Sequence, residues 1–209
     1  MKIRGSEIIG IIGGNNTGKT VLAKSLAEKF VKKRNKIDLK KYPKNYYRLA
    51  VYDVQDRFGD LLNEDDLSIK VSDDNWCKKL LKLRNSLIIL DDYRVLMPKD
   101  TMDKDFLNLL QYRAEHGLDI ILIAHNPQLV IPRLSYYIDT FCLFYTAGNE
   151  KSFDHRLSGS ENLKKLKNVI DKEFKSYTQD EYSNLYPNFP YIFYQDKKNK
   201  AVLINFKKK

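Results

Sequence analysis

Five short apolar runs rich in β-branched residues recur along the first two thirds of the chain: Glu7 to Gly13, Arg48 to Asp53, Ser86 to Asp91, Asp119 to His125 and Thr140 to Thr146. Between them lie Lys19 to Arg34, Asp73 to Arg84, Asp103 to His116 and Pro127 to Ile138, each with apolar residues at helical spacing. Strands that alternate with helices predict an α/β fold, a mostly parallel five-stranded sheet covered by helices on both faces. Ligands of such sheets sit at the carboxyl ends of the strands. After Thr146 the pattern changes. Residues 147–160 are polar and rich in turn formers; a lysine-rich helix over Glu161 to Lys175 follows, and Tyr191 to Gln195 and Ala201 to Phe206 predict a hairpin. Residues 1–147 therefore read as the core, and 148–209 as a basic helix and hairpin packed on it.

The turn after the first strand carries the clearest chemistry. Gly13, Gly14, Asn15, Asn16, Thr17, Gly18, Lys19 and Thr20 spell a complete G-x-x-x-x-G-K-[ST] phosphate-binding loop, and Val21 continues into the helix. Glycines allow consecutive backbone N–H groups to face an anion, and the helix points its positive end at the same spot. Lys19 is then expected to reach the β- and γ-phosphates of ATP, and the Thr20 hydroxyl to complete a Mg²⁺ shell.

A second acidic signature ends the third run, SLIILDD. Asp91 is expected to hold the Mg²⁺ shell and Asp92 to orient or deprotonate an attacking water. A turn made by two aspartates is the plain alternative, and Asp92 stands where such hydrolases commonly carry glutamate. The next run, DIILIAHN, ends in His125 and Asn126. His125 is a candidate γ-phosphate sensor on a strand expected between the phosphate-loop strand and the acidic strand; Asn126 could equally cap the segment that begins at Pro127. Asp53 is either a further carboxylate at this edge or a turn-stabilising residue. Arg113 ends a helix that runs back along the sheet for about 20 Å. It therefore suits a neighbouring subunit's nucleotide, as an arginine finger, or a surface arginine at a helix C-terminus. Arg133 is the rival finger.

Charge adds a partner class. The 209 residues carry 37 Lys+Arg against 27 Asp+Glu, a formal net charge of +10, which favours a polyanion such as nucleic acid, with an anionic membrane surface or plain solubility as the alternatives. Lys32 to Arg48 mixes eight basic residues with three tyrosines and could line a channel for DNA or form a solvated helix end and loop; the basic hairpin and tail are a second candidate. Cys77 and Cys142 have neither metal-ligand nor redox-pair spacing and read as reduced core residues. No apolar run approaches the ~20 residues of a membrane span, so a soluble protein is expected.

Together, GGNNTGKT, LIILDD, the Arg113 helix and HGLDIILIAHNPQLVIPRLSYYIDTFCLFYT resemble the additional-strand P-loop ATPases. Within them they resemble the FtsK-HerA superfamily of DNA pumps, in particular the genome-packaging ATPases of tailless icosahedral viruses with internal membranes. The likeness covers Lys2 to Thr146, with a looser match beyond, and His125 stands where that group commonly has glutamine. The resemblance implies a RecA-like core and a homo-oligomeric ring, expected as a hexamer. Such a ring hydrolyses ATP with Mg²⁺ to drive double-stranded DNA into a preformed capsid, in the host cytoplasm or in association with the virion. A capsid or portal-vertex protein would be a further partner. Three rival readings share part of the pattern. They are a filamentous-phage assembly ATPase of the Zot type, which usually carries a membrane span, a P-loop kinase, and a non-hydrolysing nucleotide-dependent DNA-binding module.

Overall fold

A computed structural model of the chain describes residues 6–41, 47–53, 55–62, 66–69, 75–147, 157, 160–195 and 198–207, without the side chains of 34–41 and 160. Among the described residues the strands are β1 (Ile8–Ile12), β2 (Arg48–Tyr52), β3 (Leu67–Ile69), β4 (Ser86–Leu90), β5 (Leu118–Ala124), β6 (Thr140–Leu143), β7 (Tyr191–Gln195) and β8 (Lys200–Ile204). The helices are α1 (Lys19–Lys41), α2 (Trp76–Leu81), α3 (Lys104–His116), α4 (Pro132–Ser135), α5 (Ser160–Lys175) and α6 (Gln179–Ser183). The strands form one sheet in the order β3-β2-β4-β5-β1-β6-β7-β8. All five expected core strands are present, β5 has the expected place in the order, and the C-terminal hairpin continues the sheet.

Two compact units divide the chain, one of Met1–Ile8 and Leu22–Leu122, the other of Ile9–Val21 and Ile123–Lys209. In the first, β2 pairs in parallel with β3 and with β4, and β4 with β5 in the register Ile88↔Ile120 and Ile89↔Ile121. Every residue of β4 is buried, as expected for a strand covered on both faces. Trp76 of α2 packs on Phe106 of α3 with ring centroids 5.7 Å apart, and the Asp103 carboxylate caps α3 by accepting from the Asp105 N–H at 2.7 Å. At the start of β5 the buried Asp119 accepts from the Tyr47 hydroxyl at 2.6 Å and the Glu7 N–H at 2.9 Å, so this carboxylate is satisfied by structure alone. Burial pushes the Cys77 thiol up to about 12, in keeping with its reading as an inert core residue.

In the second unit β1 pairs in parallel with β6, in the register Ile9↔Thr140 to Ile12↔Leu143. The hairpin β7–β8 is antiparallel and β7 adds to β6 antiparallel. Leu163, Lys167 and Ile170 form the buried stripe of α5. The Lys167 ammonium is accommodated there by an ion pair with Asp171 and a bond to the Thr146 carbonyl.

Three elements differ from the sequence expectation. The segment Pro127 to Ile138 is a 3₁₀ turn (Pro127–Leu129) followed by the short α4, because Pro132 has no N–H to give a helix running through it and holds Ile131 extended before it; Val130 is extended as well. α1 runs on to Lys41 rather than ending at Arg34; neither glycine nor proline interrupts it. β3 is a three-residue strand too short to leave an alternating pattern. Among the described residues no helix is long and apolar enough to cross a membrane.

Candidate functional site

The phosphate loop lies wholly in the second unit, between β1 and α1, and its backbone is tied to two neighbouring strands. Gly13 N–H donates to the Ala124 carbonyl at 3.2 Å and Gly14 N–H to the Tyr145 carbonyl at 2.7 Å. The first bond brings the end of β5, and with it His125, beside the start of the loop. Thr17 is buried, and its hydroxyl donates to the Gly14 carbonyl at 2.9 Å, closing the turn on itself. Lys19 is 6% exposed, and its ammonium donates to the same carbonyl at 2.5 Å. Asn15 and Asn16 are exposed, whereas Gly14, Gly18, Thr20 and Val21 are half-buried.

Two of the glycines are required by geometry. A Cβ on Gly13 would lie 2.6 Å from the Phe144 side chain and 2.8 Å from the Thr17 hydroxyl, so the strand can approach only without a side chain. Gly18 has φ +98°, a conformation that other residues adopt at a cost. A Cβ there would fall 2.4 Å from the ring of Phe189.

That ring introduces residues the sequence reading missed. The segment from α6 to β7 lies against the loop. The buried Tyr182 hydroxyl donates to the Thr17 carbonyl at 3.2 Å, across 165 positions of sequence, and burial pushes its pKa up, keeping it a donor. Tyr182 packs tilted on Phe189 (5.4 Å) and edge-on to Phe174 (4.7 Å), and Phe174 stacks on Tyr145 at 3.8 Å with planes 2° apart. The loop therefore rests on an aromatic cluster from the C-terminal third of the chain. Thr178 and Glu181 form a capping box that starts α6 in register with it. The clustering of aromatics at 174, 177, 182, 186 and 189 was visible in the sequence; their target was not.

The acidic motif belongs to the first unit. Asp91 is 1% exposed, and its N–H continues the sheet by donating to the Tyr52 carbonyl at 2.9 Å. Its carboxylate pairs with the Arg57 guanidinium at 3.2 Å. Arg57 was not singled out from the sequence. It is carried by a turn that Asp53 organises, because the Asp53 carboxylate accepts from the N–H groups of Gln55 at 3.0 Å and Phe58 at 2.7 Å. The turn-stabilising alternative for Asp53 is thus the observed one. Asp92 adopts φ 51° in the left-handed region. Aspartate and asparagine tolerate that region better than longer side chains do, which gives a backbone reason for aspartate where glutamate is common.

Asn126 accepts from the Leu129 N–H at 3.2 Å and caps the turn at Pro127, the alternative weighed for it. Arg113, in the last turn of α3, donates from Nη1 to the Leu110 carbonyl of its own helix at 2.6 Å. Arg133 is exposed on α4. Most of the basic stretch Lys32 to Arg48 lies outside the described side chains, as do residues 148–156 and the last two lysines. Among the described residues no group of three or more His, Cys, Asp or Glu is arranged to hold a metal by itself.

No family model matches the chain, and no curated protein matches it by sequence. Solved structures do match. The genome-packaging NTPase B204 from Sulfolobus turreted icosahedral virus 2, in complex with ATP-gammaS, superposes with a TM-score of 0.60 at 15% identity over 98% of each chain. B204, the DNA-packaging ATPase from Sulfolobus turreted icosahedral virus, gives 0.60 at 16% identity over 95% of this chain and 96% of that one. The cytoplasmic domain of the type VII secretion ATPase EccC from Thermomonospora curvata gives 0.54 at 10% identity, over 98% of this chain but 24% of that one. At these identities the likeness is one of fold: a mostly parallel, helix-flanked sheet with a C-terminal strand hairpin, similar over nearly its whole length to that of the packaging NTPase B204.

Proposed function

We propose that the chain is an ATP-hydrolysing translocase that packages double-stranded DNA into a preformed capsid. The observation that carries this is the loop Gly13 to Thr20, which is bonded at its start to the carbonyls of Ala124 and Tyr145 and opens a 23-residue helix. An anion at that point meets both backbone N–H groups and the helix dipole. Full-length likeness in fold to a packaging NTPase whose structure holds ATP-gammaS supports the nucleotide and the task. The net charge of +10 supports a polyanionic cargo gripped through its phosphates without regard to sequence.

Each residue then has a role that its surroundings permit. Asn15 to Lys19 offer backbone N–H groups to the phosphates, and the Lys19 ammonium exchanges the Gly14 carbonyl for a phosphate oxygen. For Mg²⁺, which takes one or two protein oxygens beside phosphates and water rather than an all-protein cage, Thr20 offers a hydroxyl and Asp91 a carboxylate now paired with Arg57. Bound Mg²⁺ would neutralise charge on the phosphates. Asp92 orients water, and His125, one residue beyond the carbonyl that holds Gly13, reports the γ-phosphate state. Arg113 is supplied in trans to the next subunit of a ring, expected as a hexamer, with a capsid or portal-vertex protein as its docking partner.

Assembly tests the trans roles. With a non-hydrolysable ATP analogue and duplex DNA, a ring-sized species is expected in gel filtration. Arg113→Ala lowers turnover without removing ATP binding, and mixing with Lys19→Ala subunits restores part of the activity. A monomer under these conditions, or a mixture no more active than its parts, contradicts the assignment.

A further inference from the structure

We infer that Tyr186, braced edge-on by Phe189, is the stacking face for the base of the nucleotide whose phosphates lie on Gly13 to Thr20. The inference rests on the reading of that loop as a phosphate cradle and adds to it the subsite for the other end of the ligand. Phe189 lies against Gly18, where the loop passes into α1, and the Asn205 side-chain amide donates to the Phe189 carbonyl at 3.3 Å. Behind it the interior of the cluster is filled, with Tyr182 buried and bonded to the Thr17 carbonyl. On its outer side stands Tyr186, edge-on at 6.3 Å and 69% exposed.

This exposure sets Tyr186 apart from the rest of the cluster. The other rings of the cluster fill the interior or are capped by a neighbour, as Tyr177 is by the Lys207 ammonium 3.8 Å from its ring centroid. Tyr186 presents its ring to solvent one side chain away from the phosphate loop. A flat apolar partner is the chemistry that covers it, and a nucleoside triphosphate held by its phosphates at Gly18 to Thr20 carries one a ribose away. Stacking reads the π-face common to all bases. Selectivity among bases is accordingly weak, with ATP and GTP bound within a few-fold of each other.

Isothermal titration with two magnesium-saturated probes, a non-hydrolysable ATP analogue and inorganic tripolyphosphate, tests this. The wild-type protein should bind the analogue more tightly than tripolyphosphate. Tyr186→Ala should weaken the analogue about tenfold, the alanine-scan scale of base stacking, and leave tripolyphosphate unchanged, while Tyr186→Trp retains the analogue. Because Tyr186 is exposed, its replacement leaves the core intact. An unchanged affinity for the analogue, an equal loss of both probes, or a change in oligomeric state alone overturns the platform. A wild-type protein that binds neither probe overturns instead the phosphate-loop reading on which it rests.

Discussion

The phosphate loop and the acidic strand end are both short motifs at the end of a buried strand, yet different chemistry holds them. The loop owes its shape to distant chain, since Tyr182 bonds Thr17 and Phe189 covers Gly18. The Asp91 carboxylate meets an arginine from a turn that Asp53 builds within five residues. Both motifs therefore lean on chain outside themselves, Asp91 on the turn after β2 and Thr17 on a tyrosine 165 positions away. Loss of the C-terminal segment should disarm the loop, whereas the acidic turn should tolerate it.

The largest effect expected is from Lys19→Ala, which removes the ammonium proposed to reach the phosphates and should abolish nucleotide-dependent thermal stabilisation. Retained stabilisation by an ATP analogue would mean that the loop is not the site. Gly18→Ala comes next. It forces a side chain into a left-handed conformation at roughly 1–2 kcal/mol and must displace the Phe189 ring. A melting temperature lowered by several degrees is expected, together with weaker nucleotide binding; an unchanged protein would show that the aromatic cover is not tight.

Smaller and more discriminating is a matched pair. Tyr182→Phe removes one hydrogen bond to the loop, worth about 1 kcal/mol, and should weaken tripolyphosphate binding. Its effect should be the same across the neutral pH range, because burial raises the hydroxyl's pKa and keeps it protonated on both sides of neutrality. Arg57→Ala removes the ion-pair partner of the nearly buried Asp91 carboxylate, and leaving that charge uncompensated should lower stability at least as much as the lost hydrogen bond does. It should leave tripolyphosphate binding alone in the absence of metal. If both variants weaken tripolyphosphate equally, the contrast between the aromatic support of the loop and the ionic support of Asp91 fails.

Reliance on distant chain also decides what was legible in the sequence. The strands β1, β2, β4, β5 and β6 announce themselves as apolar runs because each is buried along nearly its whole length, and the hairpin because its strands flank a turn. The loop is legible because the G-x-x-x-x-G-K-[ST] pattern puts glycines at fixed spacing. β3 was missed because three residues carry no period. Pro127 to Ile138 was overextended because its apolar spacing hid what Asn126 and Pro132 do to the backbone. Arg57 and the aromatic cluster were missed for a different reason: an arginine after a strand, or a tyrosine at position 182, acquires meaning only from what folding brings to it.

Steady-state ATP turnover by the wild-type protein and by Lys19→Ala, each with and without duplex DNA, tests the central claim most directly. Turnover that duplex DNA stimulates in the wild-type protein and that Lys19→Ala lacks under both conditions is the predicted result. No turnover, turnover indifferent to DNA with phosphoryl transfer to a small acceptor, or equal rates in the two proteins would contradict it.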